Sequence, residues 1–282
     1  MEKIRVYIQS LLSNNPLLAN FRDKIGVVLS GSRAVGYHVP SSDYDFLGLC
    51  DFETYARIAS LAGNAASAAG IDILRPNEKA VELGDDASAD MTLFERGCIE
   101  QALRSYNDVV TWIWMNSRIV VDSGNIIQSL KQGFGQYPRE ILEQKLKYHW
   151  LRDFDLSVHS MTYHAESLNL FSVVFTLSSK IAEFCKLCCL LEGKPFPYNK
   201  WLLRACQDTE VGAVLSPLFK RVLKIITSLG NNLGDNWTMV KEAIEIMDTA
   251  ACDIMEDALI KWGIGREWID NSLHELGKVL LH

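Results

Sequence analysis

No apolar run in this chain approaches the roughly 20 residues that a helix needs to cross a bilayer. The opening residues, Met1-Glu2-Lys3-Ile4-Arg5, lack the apolar core of an export signal. The cytoplasm is therefore the expected compartment. Runs of Lys and Arg are missing too. With 28 basic against 35 acidic residues the net charge is −7, whereas a protein that tracks a nucleic acid needs a basic stripe to displace its counterions. Nucleic acid is thus a poor fit as partner, while a small cationic substrate is compatible with the acidity. The seven cysteines, at 50, 98, 185, 188, 189, 206 and 252, are odd in number and mostly sit in apolar segments, so no complete disulfide framework is expected. Cys185-Lys186-Leu187-Cys188 has the spacing of a zinc or redox pair, but no second Cys/His pair lies near it. Buried small side chains are the expectation there. Internal repeats and low-complexity tracts are also absent.

What is present is the composition of a soluble protein. At 282 residues, 48% hydrophobic and 22% charged, the chain has room for two domains with separate cores. One stretch carries chemistry. Ser30-Gly31-Ser32 closes the apolar run Ile25-Gly26-Val27-Val28-Leu29, and Asp43-Tyr44-Asp45 opens the run Phe46-Leu47-Gly48-Leu49, with Asp43 twelve positions after Gly31. Residues i and i+2 of a strand share a face, so Asp43 and Asp45 are expected side by side, opposite Tyr44. Neighbouring carboxylates repel unless a cation lies between them, and Mg²⁺ binds through one or two carboxylates together with phosphate oxygens. The Gly-Ser turn opens a short helix at Arg33-Ala34-Val35, whose first N–H groups can face an anion. A phosphate cradle beside a metal-binding pair is the equipment of phosphoryl or nucleotidyl transfer.

This Gly-Ser-x10-Asp-x-Asp pattern resembles the signature of the polymerase-β-like nucleotidyltransferases. The nearest branch is the small bacterial one that includes the aminoglycoside and lincosamide antibiotic nucleotidyltransferases and the minimal nucleotidyltransferases. The sharp likeness covers about residues 25–50, and a looser one extends to about residue 115.

Along the chain, residues 2–12 form an amphipathic helical pattern, followed by strands expected at about 25–30 and 44–50 and a helix to about 62 capped by Asp51. Ile71-Asp72-Ile73-Leu74 and Asp90-Met91-Thr92-Leu93-Phe94 are further strand candidates, and helical patterns follow from Arg96. Gly133-Phe134-Gly135-Gln136-Tyr137-Pro138 marks a boundary, and everything beyond it is helical. Leu142, Leu146, Trp150, Phe154 and Val158 make one apolar stripe. Leu170, Val174, Leu177, Ile181, Phe184 and Cys188 make a second, with Phe171, Val173 and Phe175 expected to widen its buried face. A last helix from Trp237 is expected to turn Val240, Ile244, Met247, Ala251 and Ile254 inward. The expected architecture is an α/β (α+β) nucleotidyltransferase domain with a small mixed sheet over residues 1–134, then an all-α helical-bundle domain over 135–282 for substrate binding.

Asp43 and Asp45 are the expected metal ligands, for one or two Mg²⁺ ions. A carboxylate on an adjacent strand usually completes such a site, and Asp90 is the candidate, with Asp85 and Asp86 as nearby loop rivals. The resemblance adds that relatives carry an acidic residue at the start of a later strand, as catalytic base or third ligand. Gly31 and Ser32 are expected to hold phosphates. Arg33 can pair with a phosphate or form a structural ion pair, and His38 lies in the loop. In the helical domain, Lys194-Pro195-Phe196-Pro197-Tyr198-Asn199-Lys200-Trp201 is a stiffened aromatic loop. By analogy with two-domain relatives Lys200 and Tyr198 would clamp the nucleotide, the alternative being a loop anchored in the bundle by Trp201. Of the cluster His149, Asp153, Asp155, His159, His164 and Glu166, Asp153 is the first candidate for substrate binding.

The resemblance implies transfer of a nucleoside monophosphate, AMP from ATP first among them, to a hydroxyl of a small molecule bound between the domains. An aminoglycoside or lincosamide is the leading acceptor class, which would make this an antibiotic-resistance enzyme. Protein AMPylation or tRNA modification of a toxin–antitoxin kind is the enzymatic alternative. A silent nucleotide-binding regulatory module is the non-enzymatic one. Monomer and homodimer both stay open.

Overall fold

The computed structural model describes residues 1–63, 70–84, 86–134, 136–155, 170–229 and 233–272. They fall into two compact units, Met1–Gly135 and Gln136–His282. None of the described helices is long and apolar enough to cross a membrane.

The first unit is built on a five-stranded sheet of order β3-β4-β2-β1-β5, in which β1 is Gly26–Leu29, β2 Tyr44–Cys50, β3 Ile71–Lys79, β4 Ser88–Glu95 and β5 Arg118–Asp122. The sheet is mixed: β2 and β4 run parallel, and every other pair is antiparallel. The helices are α1 (Glu2–Asn14), α2 (Gly31–Val35), α3 (Phe52–Leu61), α4 (Arg96–Arg104), α5 (Asp108–Asn116) and α6 (Ile126–Gly133). Asp51 caps α3 as its position suggests, its Oδ1 accepting the Thr54 N–H at 2.8 Å. Glu95 caps α4 in the same manner, through the N–H groups of Gly97 and Cys98.

Period-2 alternation sorts the strand side chains onto two apolar cores. On one face Val27, Leu29, Phe46 and Met91 pack with Ile8 and Leu12 of α1 and with Tyr55 and Ile58 of α3. On the other face Val28 and Leu49 pack under Ile99 and Leu103 of α4, Trp114 of α5, and Ile127 and Leu130 of α6. Both faces of β1 are covered, so all four of its residues are buried. Strand β3 runs well past its apolar start because its polar end is still paired: Glu78 and Lys79 lie opposite Ala89 and Ser88, after register shifts that absorb the intervening residues. Pairing to a neighbour overrides composition there.

Every described secondary-structure element of the second unit is a helix. Leu142, Leu146 and Trp150 of Arg139–Asp155 are buried, while the side chains of Phe154 and Val158 lie outside the described part. In Leu170–Leu191 the buried stripe is Val173, Leu177, Ile181, Phe184 and Cys188. Phe171 and Phe175 do not widen it. They are 74% and 54% exposed and stack on one another, ring centroids 5.8 Å apart. Two positions along a helix is a rotation of about 200°, so residues flanking Val173 by two cannot share its face. In the last long helical stretch Val240, Ile244, Met247 and Ala251 turn inward as expected. A wide π turn at Ile246–Ala251 then rotates the face so that Met255, rather than Ile254, is buried.

Candidate functional site

The site begins where β1 runs out. Ser30 continues the ladder for one residue, its N–H donating to the Asp45 carbonyl at 2.8 Å and its Oγ at 3.3 Å. Gly31 then turns the chain with φ +62. A Cβ at Gly31 would fall 1.8 Å from Oδ2 of Asp45 and 2.7 Å from its Cγ. Only glycine can occupy this position, for reasons of backbone conformation and of space. The turn therefore lies directly against the Asp45 carboxylate. Ser32, one residue into α2, is buried, and Gly36 ends the helix in the left-handed region.

Strand pairing brings the second and third carboxylates together. In the parallel β2–β4 ladder Asp45 lies opposite Asp90, and in-register neighbours of a sheet project to the same face. Asp43 precedes Asp45 by two and joins them. Each of Asp43, Asp45 and Asp90 offers a carboxylate oxygen within 4.8 Å of the others, and all three are half-buried. Further along the same face Leu47, Leu49 and Phe94 lie in the core under α4, α5 and α6. The carboxylates stand at its N-terminal end, where that apolar cover gives way.

Burial pushes the Asp90 carboxyl above its ordinary range, and the negative charges of Asp43 and, after it, Asp72 add to the effect. Asp72 on β3 is a residue that pattern alone did not single out. It lies opposite Thr92, whose Oγ1 donates to its Oδ1 at 3.1 Å. The signal was present in the alternation of Ile71-Asp72-Ile73, but nothing local says which strand lies alongside. Three clustered carboxylates with one raised proton affinity form a set that a hard divalent cation relieves.

The remaining candidates are placed as follows. Arg33 is bonded to backbone carbonyls, with no ion pair among the described interactions. Its Nε donates to the carbonyls of Ser42 and Asp43, both at 3.0 Å, and its Nη2 to those of Ser42 at 2.5 Å and Pro40 at 3.4 Å. Tyr44 faces away from the carboxylates, stacked on Phe46, with the Arg33 guanidinium carbon 4.0 Å from its ring centroid. His38 and Asp86 are exposed, and Asp85 lies outside the described residues.

Tyr198 and Lys200 belong to the second unit. The Tyr198 hydroxyl accepts from Trp201 Nε1 at 2.8 Å, and Lys200 Nζ stands 4.9 Å from the Trp201 ring centroid. Phe196 and Pro197 are the buried anchors of that loop, rather than Trp201. Asp153 sits in the helix Arg139–Asp155, but its side chain, like that of Asp155, lies outside the described part, as do His159, His164 and Glu166 altogether. His149 is buried, its Nδ1 2.6 Å from Glu183 Oε2, and Lys186 donates to Glu183 Oε1 at 2.7 Å. Burial pushes the Glu183 carboxyl up, yet the bonds from His149 and Lys186 outweigh it and hold it below its ordinary range. Position in the sequence groups His149 with the polar residues after it, but the fold assigns it to the interior.

No protein-family model matches the sequence, and no curated protein does. Among solved structures the chain is similar to a nucleotidyltransferase-like protein from Exiguobacterium sibiricum 255-15, with a TM-score of 0.38 and 11% identity over 85% of this chain and 70% of that one. A likeness so distant decides nothing about chemistry, which rests on the carboxylates themselves.

Proposed function

We propose that this protein is a Mg²⁺-dependent nucleotidyltransferase that moves the nucleoside monophosphate of ATP onto a hydroxyl of a small molecule. The observation that carries this reading is the convergence of Asp43, Asp45 and Asp90 against a turn that only glycine can make. Oxygen-only ligands, few in number and half-exposed, suit Mg²⁺, which keeps waters and binds substrate phosphates as well. Magnesium held there would neutralise charge on the phosphates and on the attacking oxygen.

The chain's own residues divide the remaining work. N–H groups of Gly31 and Ser32 would receive the non-transferred phosphates of ATP. A hydroxyl is a weak nucleophile at neutral pH, so a positioned base must take its proton as it attacks. Asp90 is assigned that role. The acceptor oxygen bonds to the α-phosphorus, its proton passes to the Asp90 carboxylate, and the bond to pyrophosphate breaks. Lys200 and Tyr198 are proposed nucleotide contacts and Asp153 a proposed acceptor contact from the helical unit. An aminoglycoside or lincosamide is the proposed acceptor class.

The test is incubation with labelled ATP, GTP, CTP and UTP against an antibiotic panel, read by mass spectrometry for added monophosphate. Asp43→Asn and Asp45→Asn should each abolish transfer in a folded protein. Asp90→Asn should retain Mg²⁺-ATP binding better than turnover. Full transfer by either of the first two variants would remove the assignment.

A further inference from the structure

Two of the three clustered carboxylates are positioned by the sheet, and one is not. Asp45 and Asp90 are partners in the β2–β4 ladder, but the first ladder pair is Tyr44 with Ala89, and Asp43 lies before it. Its place depends on the loop that delivers it. That loop, residues 36–43, is short of apolar anchors, with Gly36, His38, Val39, Pro40 and Ser41 all exposed. Beside half-buried Tyr37, polar contacts hold it. Ser42 donates its N–H to the Val39 carbonyl at 2.9 Å, and its Oγ accepts the Val39 N–H at 3.0 Å. Arg33 then gathers the carbonyls of Pro40, Ser42 and Asp43 with Nε and Nη2, while its flat face rests on Tyr44, the residue between the two aspartates.

We propose that Arg33 is a positioning residue that sets Asp43 for metal binding by fixing the backbone on both sides of it. This rests on the metal-binding reading of the aspartate cluster. A guanidinium suits the task in a way an ammonium does not. It is planar, directs N–H groups in its own plane toward several carbonyls at once, and leaves its face for an aromatic ring. Lysine keeps the charge but cannot do both. Because Arg33 stands two residues after Gly31, the same short helix that follows the phosphate-facing turn also carries the brace for the metal-facing loop. The two halves of the site are thereby tied together through five residues of α2.

The test is Mn²⁺ binding to the full chain without nucleotide, followed by the spin resonance of the free ion, for wild type, Arg33→Lys, Asp43→Asn and the double variant. Residues that orient metal ligands typically change affinity by about 10- to 100-fold when altered. Arg33→Lys should therefore weaken Mn²⁺ binding by at least about tenfold, with little change in Tm. The double variant should bind no more weakly than Asp43→Asn alone, because Arg33 acts through Asp43. Wild-type Mn²⁺ affinity in Arg33→Lys, with only the KM for ATP raised, would make Arg33 a phosphate contact and overturn the proposal. Additive losses in the double variant would overturn it too. If the wild type itself bound no Mn²⁺, the metal reading of the cluster would fall first and the role of Arg33 with it. Should Arg33→Lys not fold, Arg33→Gln, which reaches fewer carbonyls and carries no charge, is measured and judged in the same way.

Discussion

Replacing Asp90 by Asn should make the metal-free protein more stable, and bound metal should shrink or reverse that advantage. The reason is electrostatic. Asp90 has an oxygen within 4.8 Å of both Asp43 and Asp45, and two unit charges at that separation repel by about 1 kcal/mol in water and about 3.5 kcal/mol at an effective dielectric of 20. All three groups are half-exposed, so solvent screening pulls the relief from losing one charge toward the lower figure for each pair, or about 1–2 kcal/mol in all. For a unit of this size that is a rise in Tm of about 3–8 °C. The pH dependence has a definite sign. The Asp90 carboxyl titrates above its ordinary range in the folded chain, so between the unfolded and folded values the native state holds the proton more tightly. Stability must then fall as pH rises through that window and stay level above it. Asparagine removes this loss. Calorimetric unfolding of wild type and Asp90→Asn at neutral pH, in chelator and in Mg²⁺, checks the whole argument. In chelator the variant should melt higher. In Mg²⁺ the wild type should gain more than the variant, narrowing or reversing the order. An Asp90→Asn protein that melts lower in chelator, together with a wild type indifferent to Mg²⁺, would refute the idea that these carboxylates are held together for a cation.

Other substitutions probe separate parts of the molecule. Gly31→Ala places a methyl carbon into the Asp45 carboxylate and an L-residue in the left-handed region, which costs about 1 kcal/mol by itself; transfer and Mn²⁺ binding should both be lost, as measured by product formation and spin resonance. Glu183→Gln leaves buried His149 and half-buried Lys186 facing a neutral partner, so the helical unit should lose about 1–3 kcal/mol in denaturant unfolding. Because the Glu183 carboxyl is held below its ordinary range, that wild-type contribution is present at neutral pH and should fade as pH falls through the carboxylate range, a slope the variant should lack. Lys200→Ala should raise the KM for ATP while leaving Mn²⁺ affinity in the absence of nucleotide unchanged, and unaltered steady-state nucleotide kinetics would return Lys200 to a loop role.

How much of this was legible in the sequence depends on how local each relation is. The period of the side chains along one strand is local, so the opposite facing of Asp45 and Tyr44 and the cap at Asp51 could be read directly. Asp43 does join Asp45, but it precedes the strand and is delivered by the loop rather than by the strand period. Which strand lies alongside is not local. Asp90 was within reach because a metal pair calls for a third carboxylate at a strand start, whereas Asp72 was not: its strand could be read, but not that this strand pairs with β4 and sets Asp72 opposite Thr92. The helical stripes were legible in period but not in phase: Phe171 and Phe175 look apolar enough to be core, yet the buried face is set by Val173 and Leu177. Arg33 is the instructive case. Its charge and its place beside Gly31 and Ser32 leave a phosphate and a structural ion pair both open, because sequence records only which residues are near along the chain. The fold brings back to it the carbonyls of residues 40, 42 and 43, and backbone carbonyls leave no trace in the identity of the residues that bear them. A basic residue next to such a Gly-Ser turn therefore has two candidate partners, an incoming anion or a returning loop. The path of the backbone reveals the loop, and the Mn²⁺ and ATP readouts of Arg33→Lys decide whether an anion shares the side chain.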